Sequence, residues 1–126
     1  AELGIVVDHI AKPEAHNGRI QPEWRKGMKE LAKRDNLLGV KFSGLVTEFN
    51  ADSEIDPDTV RAYFEETLEI FGANRVMFGT DWPVCLLRIN SYQAWAETVQ
   101  ELVSALSQTE QEAILLGNGE KSYQLH

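Results

Sequence analysis

The sequence predicts an α/β fold of three parallel strands, each followed by a helix, with further helices at the C-terminus. Three observations carry this. Short apolar runs rich in β-branched residues begin at Leu3, Leu38 and Arg75, a near-constant interval. Between them lie stretches whose apolar residues recur at helical spacing. Each run stops at a glycine or at polar residues, so strand, loop and helix repeat in one order. Parallel neighbours need such a crossover, and its hand is nearly always right.

The first run, residues 3–7, is β-branched and ends at Asp8-His9, with Pro13 closing the segment. It reads as a buried strand followed by a loop over residues 10–21 that holds His16, Asn17 and Gly18. That loop is long for a βα connection, and such loops carry specificity. Pro22 suits a first helical turn, and Trp24, Met28, Leu31 and Ala32 give a helix over residues 22–34. A second strand covers residues 38–43, with Gly44 ending it and a polar loop over 48–54. Asp56 is a good N-cap, Pro57 a good first helical residue, and Val60, Phe64, Leu68 and Phe71 form one stripe up to the stop at Gly72. Val76-Met77-Phe78 is a third short strand, and a helix over 91–106 carries Trp95, Val99, Leu102 and Leu106. Thr109 and Glu112 fit a capping box that opens a helix ended by Gly117, before a final turn over 118–123.

At 126 residues, with 43% hydrophobic and 25% charged residues, the chain is ordinary globular material of about one domain. A net charge of −8 argues against nucleic acid or an anionic membrane surface as partner, since both need a basic patch. The bases, Lys12 among them, are scattered and mostly assigned to solvated helix faces. One cysteine, Cys85, excludes a disulfide framework within the chain and reads as a small apolar residue. There is no apolar run long enough to span a bilayer and no signal-peptide layout, so a soluble cytoplasmic protein is expected.

Two architectures fit this pattern. One is a small flavodoxin-like sheet. The other is the last three βα units of an eight-unit barrel, residues 1–126 then forming an incomplete domain; a whole barrel takes about 250 residues. In either, the C-terminal strand ends share one face and bring Asp8-His9, Lys41 with Ser43, and Thr80-Asp81 to one mouth. Histidine, lysine and carboxylate together suit general-base and electrophile chemistry or metal-assisted hydrolysis. Each alone has a plainer reading: a structural histidine, an aspartate tying a loop, a lysine reaching solvent. Glu48 reads as a solvated charge or a contact to a sugar hydroxyl, Trp82 as packing or a ring-stacking surface, and His16 as exposed.

Three segments, Val6-Val7-Asp8-His9-Ile10-Ala11-Lys12-Pro13, Val40-Lys41-Phe42-Ser43-Gly44-Leu45 and Val76-Met77-Phe78-Gly79-Thr80-Asp81-Trp82-Pro83, resemble the last three strand motifs of the amidohydrolase-2 family, in its lactonase branch. The ending from Ile114 to Tyr123 is similar to that family's C-terminus, with Gly119 where an alanine is usual. The resemblance implies the C-terminal portion of a (β/α)8 TIM-type barrel that hydrolyses a lactone or similar small cyclic ester, sometimes with a zinc-type divalent metal. It implies Asp81 as general base or metal ligand and His9 as its catalytic or metal-binding partner. Lys41, Ser43, Glu48 and Trp82 are expected near the substrate, a small lactone or sugar-acid derivative. The family's His-x-His pair has no counterpart among His9, His16 and His126, so a metal shell from His9 and Asp81 would need that pair from elsewhere. Metal-dependent decarboxylation, or a catalytically silent, self-associating piece, are the other readings.

Overall fold

The computed structural model describes residues 3–15 and 18–125, so the expectation for His16 falls outside the described residues. Three strands, β1 (Ile5–Val7), β2 (Leu37–Phe42) and β3 (Val76–Phe78), form one parallel sheet in the order β1-β2-β3. The register sets Val7 beside Val40, and Lys41 beside Met77. Helices α1 (Pro22–Ala32), α2 (Pro57–Phe71) and α3 (Tyr92–Val103) follow the strands in turn. This is the expected βα repeat, with β1 beginning two residues later and α1 and α3 ending earlier than the apolar pattern suggested.

The core lies between one face of the sheet and the helices. Val40, Phe42 and Val76 are fully buried, and Phe42 meets Phe64 of α2 edge-on at 5.1 Å and stacks near Trp95 of α3 at 5.7 Å between centroids. Trp24 of α1 meets Tyr63 of α2 edge-on at 5.0 Å. Aromatic pairs in these arrangements add to the burial of their area. Asp56 caps α2 as expected, its carboxylate accepting from the N–H groups of Asp58 and Thr59.

Two local expectations are corrected at the C-terminal end. The capping box is formed by Ser107 and Glu110, not Thr109 and Glu112, and starts α4 (Gln108–Glu112). Gly117 does not end a helix: the chain runs through a π turn, Ala113–Gly117, into α5 (Asn118–Ser122), with Gly117 in ordinary right-handed conformation. Glycine permits a C-cap but does not impose one, and here Asn118 decides. Its buried amide donates to the carbonyls of Ala73 and Val76, both at 2.6 Å, and docks the tail under β3. Among the described residues, no helix is long and apolar enough to cross a membrane.

Candidate active site

The three strand ends do converge, through irregular backbone that the periodicity could not disclose. After β1 the chain does not simply enter a loop. His9, Ile10, Ala11 and Lys12 have φ of 49°, 44°, 56° and 48°, a left-handed turn of four non-glycine residues. Each such residue costs roughly 1–2 kcal/mol, and a β-branched residue like Ile10 is among the least suited. Tertiary contacts hold the turn. Ile10 is fully buried and its carbonyl accepts a 2.7 Å bond from the Trp24 indole of α1. Lys12 reaches Glu48 across the next loop at 2.8 Å. Asp81, after β3, is also left-handed, with φ of 54°.

This backbone aims His9 at Asp81. The imidazole Nε2 lies 3.4 Å from Asp81 Oδ1, while Nδ1 lies 2.7 Å from the Ser43 hydroxyl and 3.5 Å from Asp8 Oδ1. Asp8 Oδ1 also meets Lys41 Nζ at 2.7 Å. The Lys41 bond, helped by the charges of His9 and Lys41, holds the Asp8 carboxyl below its usual range despite partial burial. Burial alone would push Lys41 down. Its bond to Asp8 and its interaction with Tyr123 of the C-terminal tail, whose ring centroid lies 5.8 Å from Nζ, outweigh it and raise the ammonium above its usual value. Lys12 is raised as well, by its bond to Glu48 first, then by the charges of Glu48, Asp81 and Asp8.

Gly44 makes the His9 position possible. Its φ is +68°, and a Cβ there would come within 2.7 Å of His9 Cγ. Gly79 does the same for Ser43, because a Cβ would stand 3.0 Å from Ser43 Cβ.

Of the residues singled out from sequence, His9, Asp81, Ser43 and Lys41 thus form one connected group, with Lys41 joined through Asp8. Glu48 is not a freely solvated charge; its side chain is 20% exposed and paired with Lys12. Lys12 is correspondingly not on a helix face. Trp82 is 64% exposed beside the mouth rather than packed, and Cys85 is buried as expected. The sequence alone gives Asp8, Lys12 and Tyr123 no role at the site. Asp8 and Lys12 flank His9 in the Asp8–Pro13 motif, and that was the available signal; nothing in sequence linked Tyr123 to Lys41.

Zinc at a catalytic site takes three protein ligands as a rule. Among the described residues, no group of three or more His, Cys, Asp or Glu side chains is placed to hold a metal. His9 and Asp81 offer two donors, and these residues do not by themselves fit such an ion.

The amidohydrolase family model matches residues 1–125. An L-fucono-1,5-lactonase of Burkholderia multivorans is 34% identical over an alignment of 129 positions, which covers 96% of this chain and 43% of that protein. An L-fucono-1,5-lactonase of Burkholderia ambifaria is 41% identical over 95 residues, covering 74% of this chain and 31% of the relative. A crystal structure of an amidohydrolase from Burkholderia multivorans with bound zinc superposes with a TM-score of 0.88 at 33% identity, over 98% of this chain and 45% of that one. The chain therefore spans less than half the length of these relatives, and its three parallel βα units correspond to part of a TIM barrel. With the family model matching nearly end to end over the strand motifs that build this mouth, the chain belongs to the amidohydrolase family.

Proposed function

We propose that this chain, acting with further barrel units, hydrolyses the lactone of a sugar acid, with Asp81 as general base. The observation that carries the reading is the 3.4 Å approach of His9 Nε2 to Asp81 Oδ1 at the shared mouth. The lactonase names of two relatives support the substrate class.

The Asp81 carboxylate takes a proton from water as the water oxygen bonds to the lactone carbonyl carbon. His9, facing the same space, donates toward the carbonyl oxygen as negative charge develops there. The tetrahedral intermediate then collapses, the ring C–O bond breaks, and the leaving alkoxide recovers the proton from Asp81 to give the open hydroxy acid. Trp82 offers an exposed flat surface beside Asp81 for the ring, and Lys41 and the Lys12–Glu48 pair are the polar groups available to its hydroxyls. A divalent metal would need ligands beyond those that the described residues bring together.

The test is Asp81→Asn in a version supplied with the further barrel units, assayed on sugar-acid lactones. The expected loss in kcat is about 10²–10⁴-fold with unchanged thermal unfolding. Full activity in the variant would defeat the assignment. The 126-residue chain by itself is expected to be inactive and to self-associate. Its sheet ends in open edges at β1 and β3, and Trp82, Val84, Leu86, Leu87 and Tyr92 expose apolar surface in one segment. Light scattering that finds a monodisperse monomer, or measurable lactone hydrolysis, would each overturn this.

A further inference from the structure

We infer that Ser43 is a positioning residue that fixes His9 in the tautomer with its proton on Nε2, pointing at Asp81 and the mouth. The inference deepens the role proposed for His9 and rests on it.

Ser43 is placed to act through His9 and not on a substrate. It is 1% exposed, and among the described residues the imidazole is the side-chain partner of its hydroxyl, at 2.7 Å from Nδ1. Gly79 covers it from β3 so closely that an added methyl would stand 3.2 Å from the hydroxyl oxygen. Gly44 clears the space in which His9 lies against the end of β2. The ring is therefore held on one side by protein and open on the other toward Asp81.

The proton's location follows from what each partner can do. An ionised carboxylate only accepts, so Asp81 calls for a proton on Nε2. A hydroxyl can donate or accept, so Ser43 is free to donate to an unprotonated Nδ1. The competitor is Asp8, whose carboxylate lies 3.5 Å from Nδ1 and would draw a proton to that atom instead. Lys41 opposes it by engaging the same Asp8 oxygen at 2.7 Å. Ser43 thus donates the hydrogen bond that an unprotonated Nδ1 accepts, and Lys41 occupies the acceptor that would compete. In the neutral ring the remaining N–H is the one facing the reacting space. Without the serine hydroxyl, Nδ1 loses its donor while the Asp8 carboxylate stays 3.5 Å away, which favours the opposite tautomer.

The test has two arms. In ¹⁵N-histidine-labelled 126-residue chain, in chelator-treated buffer at a pH where the ring is neutral, His9 is expected to show a protonated Nε2 and an unprotonated Nδ1, with assignment by His9→Gln. Ser43→Ala is expected to move the proton toward Nδ1, and Ser43→Cys, which keeps a weaker donor in the same place, to fall between. In the version with lactonase activity, Ser43→Ala is expected to lower kcat about 10–100-fold with KM within about threefold, as for other hydrogen-bond partners that orient a functional histidine. A proton on Nδ1 in the unmodified chain would overturn the inference. So would a ring signal and kcat that neither variant alters, or a loss confined to KM, the mark of a substrate contact. The two readings fail separately. An active Asp81→Asn would remove the base assignment and leave the tautomer measurement standing, whereas a proton on Nδ1 would remove the role of Ser43 and leave Asp81 in place.

Discussion

The two faces of β2 obey different rules. On the helix-covered face, Val40 and Phe42 are fully buried against α2 and α3, in regular backbone. On the other face and at the strand end, Lys41 and Ser43 belong to a chain of polar contacts that runs from Tyr123 through Asp8 and His9 to Asp81. Non-glycine residues with positive φ there include His9, Ile10, Ala11, Lys12 and Asp81. Burial of apolar area stabilises the first face. The second faces a polar mouth and carries left-handed backbone whose cost the surrounding structure must offset. Stability and the proposed chemistry are thereby assigned to opposite sides of the same six-residue strand.

The sharpest way to break that division is at Phe42. Phe42→Ala removes a fully buried ring that touches both Phe64 and Trp95, and should cost about 3–5 kcal/mol in urea unfolding, much of a small domain's stability. Asp81→Asn, on the mouth side, should leave unfolding unchanged while removing turnover. If Asp81→Asn destabilises as much as Phe42→Ala, or Phe42→Ala leaves stability intact, the two faces are not separable in this way.

Gly44 sits where the two regimes meet. Gly44→Ala forces a side chain into φ +68° and against the His9 ring, so it should lower stability by about 1–2 kcal/mol and displace His9 as well. Thermal unfolding measures the first effect and the His9 ring signals the second. A variant with unchanged ring signals would mean that the close approach of Gly44 and His9 is not what seats the imidazole.

The helix-covered face was legible in the sequence because it repeats. The stripe Val60, Phe64, Leu68 and Phe71, the Asp56 cap and the glycine at 72 each have a local signature, and α2 was predicted to its exact limits. The mouth was legible only in its membership. Strand ends point one way in a parallel sheet, so His9, Ser43, Lys41 and Asp81 could be gathered without coordinates. Their partners could not. A left-handed turn at His9–Lys12 contradicts local preference at every residue and exists because Trp24, Glu48 and Ser43 hold it from elsewhere in the chain. The same limit explains the misread C-terminal helices. Asn118 bonds to carbonyls beside β3, and that long-range tie carries the helix through Gly117 where a local rule would stop it.

The smallest effect belongs to the Asp8–Lys41 pair, and its pH dependence separates a structural ion pair from a positioning one. Asp8 has its folded pKa below the ordinary 3.8, chiefly through the Lys41 bond, so its contribution to stability is complete above that value and disappears as pH falls through the lower, folded one. Lys41 is raised above 10.5, so its contribution is complete below that value and disappears only at still higher pH. Between these limits the pair is intact, but the Asp8 side chain is 57% exposed and solvent screens it. Asp8→Asn should therefore cost less than about 1 kcal/mol at neutral pH, and the deficit relative to the parent should shrink below pH 3.8 and in high salt. Urea unfolding at neutral pH and in acid measures both. A deficit of several kcal/mol, or one that persists in acid, would make Asp8 a structural element of the β1 turn, and the division between the two faces of β2 would then not extend to this residue.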